Sequence, residues 1–371
     1  MSAHKTGWKV YSIRTTTGEV GSELDPVSGS WSIELNKTED FSVTVKKADL
    51  LKRERLWWHP WSGGVLYTYT GQDDIESPIV AGPITDYGTE TTDELSFSCG
   101  GIRKILEHRT VWQTLAYKGM TYGDIAWALV QHGMDKPGGA LPIMRDFPAE
   151  SGRYERTYEG WNLANNGIDK RLTELSEVIN GPDIMFRPRW VEGTDKRRIE
   201  WVMVHGTALS TSIPQKRTPD FDMTSAASDV LDPSIKSSGV NIRQRVWCTG
   251  AGEGEGVARA FAQDLSTIEN QYSMPFLEDV MSDSDQAKED VLRAKAEGAL
   301  RAQSQIIDQL TFKYHGLSTK NPLGSFFVGD TANVTMRGWI NIPDGTRPMK
   351  LLKMNGSLDN MVTLDFQEGV W

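Results

Sequence analysis

The run Gly250-Ala251-Gly252-Glu253-Gly254-Glu255-Gly256 joins glycine freedom to two carboxylates and follows a strand-like segment, so it is the first place to look for chemistry. A dinucleotide loop needs Gly-x-Gly-x-x-Gly, and no register of this run supplies it. No Gly-Lys-Ser/Thr follows for a phosphate loop, and two carboxylates would repel a phosphate. As an acid pair for sugar hydrolysis, Glu253 and Glu255 would need a rigid frame to hold their separation. Two positions apart among glycines, they have none, and the run reads as a turn.

The other reactive residue types are equally dispersed. The six histidines, His4, His59, His108, His132, His205 and His315, form no His-Glu-x-x-His, and no Gly-x-Ser-x-Gly elbow is present. Cys99 and Cys248 stand alone, without a Cys-x-x-Cys spacing, and read as reduced buried thiols. Asp279, Asp283, Asp285, Glu289 and Asp290 lack the glycine-bearing loop that calcium requires. They read instead as carboxylates facing the first turn of a helix. The expectation is no catalytic residue, no metal site, no cofactor and no enzymatic activity.

One cluster stays open. Trp57-Trp58-His59-Pro60-Trp61 places three indoles within five residues. A packed corner turned by Pro60, a protein interface anchored by Trp57, Trp58 and Trp61, and a stacking platform for sugar rings all fit that pattern.

The elements that would position these residues alternate between two periods. Trp8–Ile13, Ser30–Leu35, Phe41–Val45, Val65–Tyr69, Ile79–Ile84 and Leu95–Cys99 read as strands. Thr15–Gly29 reads as loop, and Ala48–Leu56 as a short helix. Ile102–His108 reads as a helical turn and Thr121–Gln131 as a helix. Asp135–Gly152 is rich in Pro and Gly and reads as loop. A helix is predicted over Asn162–Ile179, with Ile168, Leu172, Leu175 and Ile179 as its apolar stripe, stopped by Asn180-Gly181-Pro182. Strands follow at Ile184–Arg187 and Arg198–Val204. Pro214–Gly239 reads as linker or surface loop, and Val240–Thr249 as a strand. A long helix over Ser284–Gln305 is capped by Ser282, Asp283 or Ser284. Strands close the chain at Leu310–Tyr314, Ala332–Met336, Met349–Met354 and Met361–Phe366, with Asn355-Gly356 as a hairpin turn.

The 371 residues suffice for two or three domains, and the 38% hydrophobic content is that of a globular protein. No apolar stretch approaches the ~20 residues of a membrane helix. Met1–Lys9 has no apolar run, so no signal peptide is expected. Against 40 basic residues stand 50 acidic ones, a net charge of −10 that disfavours general affinity for nucleic acid. The 13 tryptophans and 35 glycines favour strands and tight turns over a helical bundle.

Several segments, in order, carry a resemblance. Ile179–Trp190 (INGPDIMFRPRW), Ser30–Asn36 (SWSIELN), Gly101–Val111 (GIRKILEHRTV), Val246–Gly256 and Gly329-Asp330 are similar to stretches of minor tail proteins of siphoviruses infecting actinobacteria. The resemblance implies a tail-tip hub, similar to the central baseplate hub of contractile-tailed phages. Such hubs are homotrimers in which each subunit gives two barrel-like domains to a ring, so that three chains match a six-fold tube. The implied fold is α+β and β-rich: two β-barrel-like tail-tube domains with a mixed α/β peripheral region. The implied division is 1–100 for the first tube domain, 101–215 for the peripheral domain, and 216–371 for the long helix and the second tube domain. Implied partners are the distal tail protein, the tape measure protein and other tail-tip proteins, with DNA passing through unbound. The implied place is the virion tail tip, after synthesis in the host cytoplasm. A distal tail ring protein and a cell-wall glycan-binding tail module are the alternatives.

Overall fold

The computed structural model describes residues 6–225, 228–269, 274–284, 286–303 and 306–368. His4, Asp285, Ser304 and Gln305 lie outside the described residues. The chain forms two compact units, one built from residues up to Pro233 and from Thr311 to Phe366, the other from Ser234 to Leu310.

The first unit is organised by a single large sheet. Its strands follow the order Val20–Leu24, Gly7–Arg14, Gly63–Thr70, Glu76–Glu90, Glu94–Gly100, Asp40–Lys46, Pro26–Glu34, Gly345–Ser357 and Met361–Glu368. The path continues into Ile307–His315 and Val230–Ser238, the strands in which the chain passes between the units. The fold is β-rich α+β, as expected, but the strands pair along an open path rather than as two closed barrels.

Two long strands change neighbours along their length. Residues Glu76–Pro83 pair with Gly63–Thr70, and Ile84–Glu90 pair with Glu94–Gly100. At that crossing a Cβ on Gly82 would lie 2.0 Å from the Gly100 carbonyl oxygen, so only glycine lets the backbones approach. Likewise, Gly345–Lys350 pair with Thr331–Met336, while Lys353–Ser357 pair antiparallel with Ser30–Glu34. The N-terminal and C-terminal strand sets are thereby one hydrogen-bonded surface.

A mixed layer covers part of this sheet. Helices Tyr122–Met134 and Ile168–Glu177 pack with a three-stranded sheet of Ile184–Trp190, Ile199–His205 and Ile143–Arg145, beside the ribbon Leu115–Met120/Ser151–Tyr158. The core of this layer, including Ile125, Leu129, Leu172 and Trp201, is continuous with Ile13, Leu66 and Ala81 of the large sheet. The second unit is smaller. Helix Glu289–Ala302 lays Leu292, Ala296 and Leu300 on Val246, Cys248, Ala260 and Ala262 of the sheet Arg259–Gln263/Arg245–Thr249/Glu278–Ser282. Among the described residues no helix is long and apolar enough to cross a membrane.

Several elements depart from the reading of the sequence. The Asn162 helix begins only at Ile168, because Thr110 bridges Gly167 and Arg109 O takes the Ile168 N–H. It ends in extended backbone at Val178, not in a left-handed glycine; Asn180 is the residue with positive φ, and Ile179 is exposed. The long helix starts at Glu289 with Lys288 as its N-cap, since Asp283 is engaged with Thr249 O and with Lys295. Asn355-Gly356 sit inside a strand, opposite Ser32 and Trp31. The glycine is there because a Cβ would meet the Trp31 indole and the Met361 carbonyl oxygen, not because the chain turns. Pro214–Gly239 is no bare linker: Asp220–Asp222 adds parallel to Thr331–Met336, and Val230–Ser238 is the terminal strand of the sheet path.

Candidate functional site

Four of the five segments that carry the resemblance meet around Asn36, a left-handed residue at φ 63°. Its side-chain oxygen accepts the Ile184 N–H at 2.7 Å, and its main-chain oxygen accepts from Arg103 at 2.6 Å. Arg103 is buried and also binds Asp169 and Thr173. Arg187 reaches from strand Ile184–Trp190 to Asp330 at 3.1 Å and to Val328 O at 2.9 Å. Asparagine tolerates left-handed backbone and keeps two hydrogen-bonding ends free for its neighbours. The strand Pro26–Glu34, the helix Arg103–Glu107, the peripheral sheet and the turn before Thr331 are thus tied by polar contacts into one junction. The fifth segment, Val246–Gly256, lies in the other unit.

Glu39 is the charged group of this junction without full compensation. It is buried, Gly101 donates its N–H to Glu39 O, and Oε2 has no hydrogen-bond partner. Burial raises its carboxyl to about 7, only partly offset by a main-chain hydrogen bond and by Arg103. A folded-state pKa above the unfolded one makes stability fall as pH rises from about 4.5 to 7, since only the folded state keeps the proton there. Glu39→Gln is therefore expected to flatten stability over that window and to gain on the order of 3 kcal/mol above pH 7. Urea unfolding at pH 5 and pH 8 measures both.

Asp124, Arg145 and His205 form a buried polar cluster that has the residue types of a catalytic site. Asp124 takes Arg145 at 2.5 Å and the Thr121 hydroxyl at 2.6 Å, and Arg145 Nε donates to His205 Nε2 at 3.1 Å. Nε2 accepting fixes the proton on Nδ1, which donates to Gly206 O at 2.6 Å. Both ring nitrogens are committed, and burial holds the imidazole neutral by lowering its pKa. No lone pair is left to act as a base, so the cluster is a structural staple. Gly123 permits it, because a Cβ there would lie 2.2 Å from His205 Nδ1.

The three tryptophans meet different neighbours. Trp57 is half-buried with Arg14 6.0 Å from its ring, and Trp58 is half-buried against Arg55 and Tyr87. Trp61 is exposed, with a positive φ, and meets His108 edge-on at 5.1 Å. Glu253 and Glu255 are exposed beside Gly252 and Gly254, both with positive φ. Cys99 and Cys248 are free and buried. Among the described residues no three His, Cys, Asp or Glu side chains converge as a metal cage.

One face of the large sheet has a composition of its own. Along Pro26–Glu34, Asp40–Lys46, Glu94–Gly100 and Met361–Glu368 the buried positions include Trp31, Ile33, Phe41, Val43, Phe97, Val362 and Leu364. Alternate residues put Ser30, Ser32, Ser42, Thr44, Ser96, Ser98 and Thr363 on the opposite face, with Asp40 and Asp365 among them. Ser30 and Ser42 share a hydrogen bond of 2.9 Å, as do Thr44 and Ser96, and Thr311 donates to Asp365 at 2.6 Å. Short hydroxyls dominate this face, with Lys46, Lys313 and Met361 standing among them. The alternation was legible in the sequence; the joining of both chain ends in one face was not, because Asn355-Gly356 reads as a turn.

No family model matches the sequence, and no curated protein matches it. Solved structures do. A tail protein from Neisseria meningitidis MC58 superposes with a TM-score of 0.56 at 16% identity, covering 98% of this chain and 97% of that one. The 43 kDa tail protein of prophage MuSo2 from Shewanella oneidensis gives 0.56 at 9% identity, covering 96% and 98%. Prophage tail protein gp18 from Listeria monocytogenes EGD-e gives 0.52 at 8% identity, covering 97% and 94%. The fold of this chain is one found in phage tail proteins, over essentially its whole length.

Proposed function

We propose that the chain is a structural subunit of a phage tail, the hub of the tail tip, which assembles as a homotrimer around the DNA conduit. The observation that carries this reading is the pairing of Lys353–Ser357 with Ser30–Glu34. It sets two strand-rich halves of one chain side by side, which is what a subunit needs if three copies are to match a tube of six. The two halves stand as the barrel-like tube domains, and the mixed layer around helices Tyr122–Met134 and Ile168–Glu177 as the peripheral domain. The distal tail protein and the tape measure protein are its neighbours on this reading, Trp61 with half-buried Trp57 and Trp58 are anchors for one of them, and the role is not enzymatic.

The hydroxyl-rich face is assigned to the lumen. A conduit must not hold its cargo, and on this face the hydroxyls and the carboxylates Glu34, Asp40, Glu94 and Asp365 outnumber the lysines Lys46, Lys313 and Lys353, so phosphate meets no net positive surface. Asp40→Lys with Asp365→Lys is expected to slow DNA release from particles at low salt, with partial recovery at high salt as the added charge is screened. Single-particle ejection kinetics measure it, and unchanged rates at both salts count against the assignment. The reading as a whole is tested by counting the protein in purified virions by quantitative mass spectrometry. Three copies agree with a trimeric hub, six with a distal ring, and none removes the structural role.

A further inference from the structure

Among the described residues, the smaller unit contains a strand edge with no strand paired to it. Its sheet runs Arg259–Gln263, Arg245–Thr249, Glu278–Ser282, so the first and last of these are the outer strands. Two bonds, Gly250 N–H to Ala258 O and Asp264 N–H to Gln244 O, fix the phase of the antiparallel ladder. Ala258, Ala260, Ala262 and Asp264 direct their main-chain groups at the central strand. Arg259, Phe261 and Gln263 direct theirs outward. Among the described residues no strand takes those outward groups.

The two edges differ in how they are guarded. Exposed edges are ordinarily blunted by charge, proline or a bulge. Strand Glu278–Ser282 begins with two carboxylates, Glu278 and Asp279. Strand Arg259–Gln263 has no proline and no bulge, its register with Arg245–Thr249 is unbroken, and its one charge is at its first residue. Helix Glu289–Ala302 runs beside it, and a groove lies between the two, with Phe261, Gln263 and Asp264 on one wall and Arg293 and Glu297 on the other. Leu300 and Ala262 are buried at its base. The rim charges balance, Arg293 and Arg301 against Asp264 and Glu297. A groove without net charge does not select a charged side chain; it offers main-chain donors and acceptors, and the chemistry that matches these is another strand.

We propose that this groove receives an extended segment of a different protein, added as a fourth strand along Arg259–Gln263 with a small apolar residue over Ala262 and Leu300. The inference rests on the tail reading only for where that partner is met. A second copy joining through the same edge would pair about a two-fold axis and make the isolated protein dimerise.

Hydrogen exchange of residues 259–263, read by mass spectrometry, compares the isolated chain with the same chain in purified tails. The isolated chain is expected to exchange fast at Phe261 and Gln263 at every protein concentration. In tails the same amides are expected to slow by on the order of 100-fold or more. Gln263→Pro and Arg259→Pro each remove an outward donor and leave the inner ladder intact. Each is expected to keep the fold and to lose the protection at the two outward amides that remain. A photocrosslinker at Phe261 is expected to join another protein. Fast exchange in tails that contain the chain overturns the proposal, as does concentration-dependent protection or a crosslink to a second copy. The copy count above needs only the abundance of the chain, so its failure and this one are separate results.

Discussion

Trp201→Ala is expected to lower the stability of the first unit by about 3–5 kcal/mol, the range for removing a large aromatic from a packed interior. Trp201 is fully buried at the centre of strand Ile199–His205. Its indole N–H donates to Ala81 O at 3.0 Å, where the long strand Glu76–Glu90 approaches its switch between neighbours. The ring therefore fills the space between the peripheral layer and the large sheet and also hydrogen-bonds a main-chain carbonyl of the long strand. Truncation opens a cavity and removes that hydrogen bond together. Trp201→Phe separates the two effects: it keeps most of the volume, loses the hydrogen bond, and is expected to cost about 1–3 kcal/mol. Equilibrium unfolding in urea, followed by the change in tryptophan fluorescence and by circular dichroism, gives both values. A loss below 1 kcal/mol for the alanine variant would mean that the layer and the sheet are not coupled through this residue.

The sequence disclosed strands where one face is buried and the other wet, because alternation survives any topology. Phe41–Val45, Leu95–Cys99 and Met361–Phe366 are found where period two places them. It misplaced elements where a tertiary contact overrides local preference. Gly356 looks like a turn residue but sits in a strand, where its missing side chain leaves room for the Trp31 indole. Strands Leu115–Met120, Ser151–Tyr158 and Arg259–Gln263 were not legible, since each is half polar or alanine-rich and depends on its partner for its pairing. The junction was hidden for another reason. Asn36, Arg103, Arg187 and Asp330 are separated by long stretches of chain, and nothing local marks a buried charge whose partner lies 143 positions away. The segments Ser30–Asn36, Gly101–Val111, Ile179–Trp190 and Gly329-Asp330 stand far apart along the chain, and in the fold each supplies one part of the same polar knot.

Arg187→Met is expected to cost about 3–5 kcal/mol at pH 8, because it strands a buried carboxylate. Arg187 is mostly buried, stacks over the Phe327 ring at 4.7 Å and pairs with Asp330, whose other oxygen accepts the Phe327 N–H at 2.9 Å. Burial already raises the Asp330 carboxyl above its ordinary range, with Arg187 as the main opposing charge. Removing Arg187 raises it further. A carboxyl whose folded-state pKa exceeds the unfolded value is unfavourable at high pH and is relieved as the pH falls and the proton is bound. The deficit of Arg187→Met should therefore shrink between pH 8 and pH 5, whereas a loss due to packing alone would not change. Arg187→Met combined with Asp330→Leu removes both charges and is expected to recover most of the loss, since an apolar pair is often as stable as a buried ion pair. The coupling in this double-mutant cycle, read at both pH values, separates the electrostatic part from the packing part. If the double variant is as unstable as the sum of the single ones, the junction depends on shape and not on charge, and its polar residues serve to fix the approach of the strands rather than to neutralise one another.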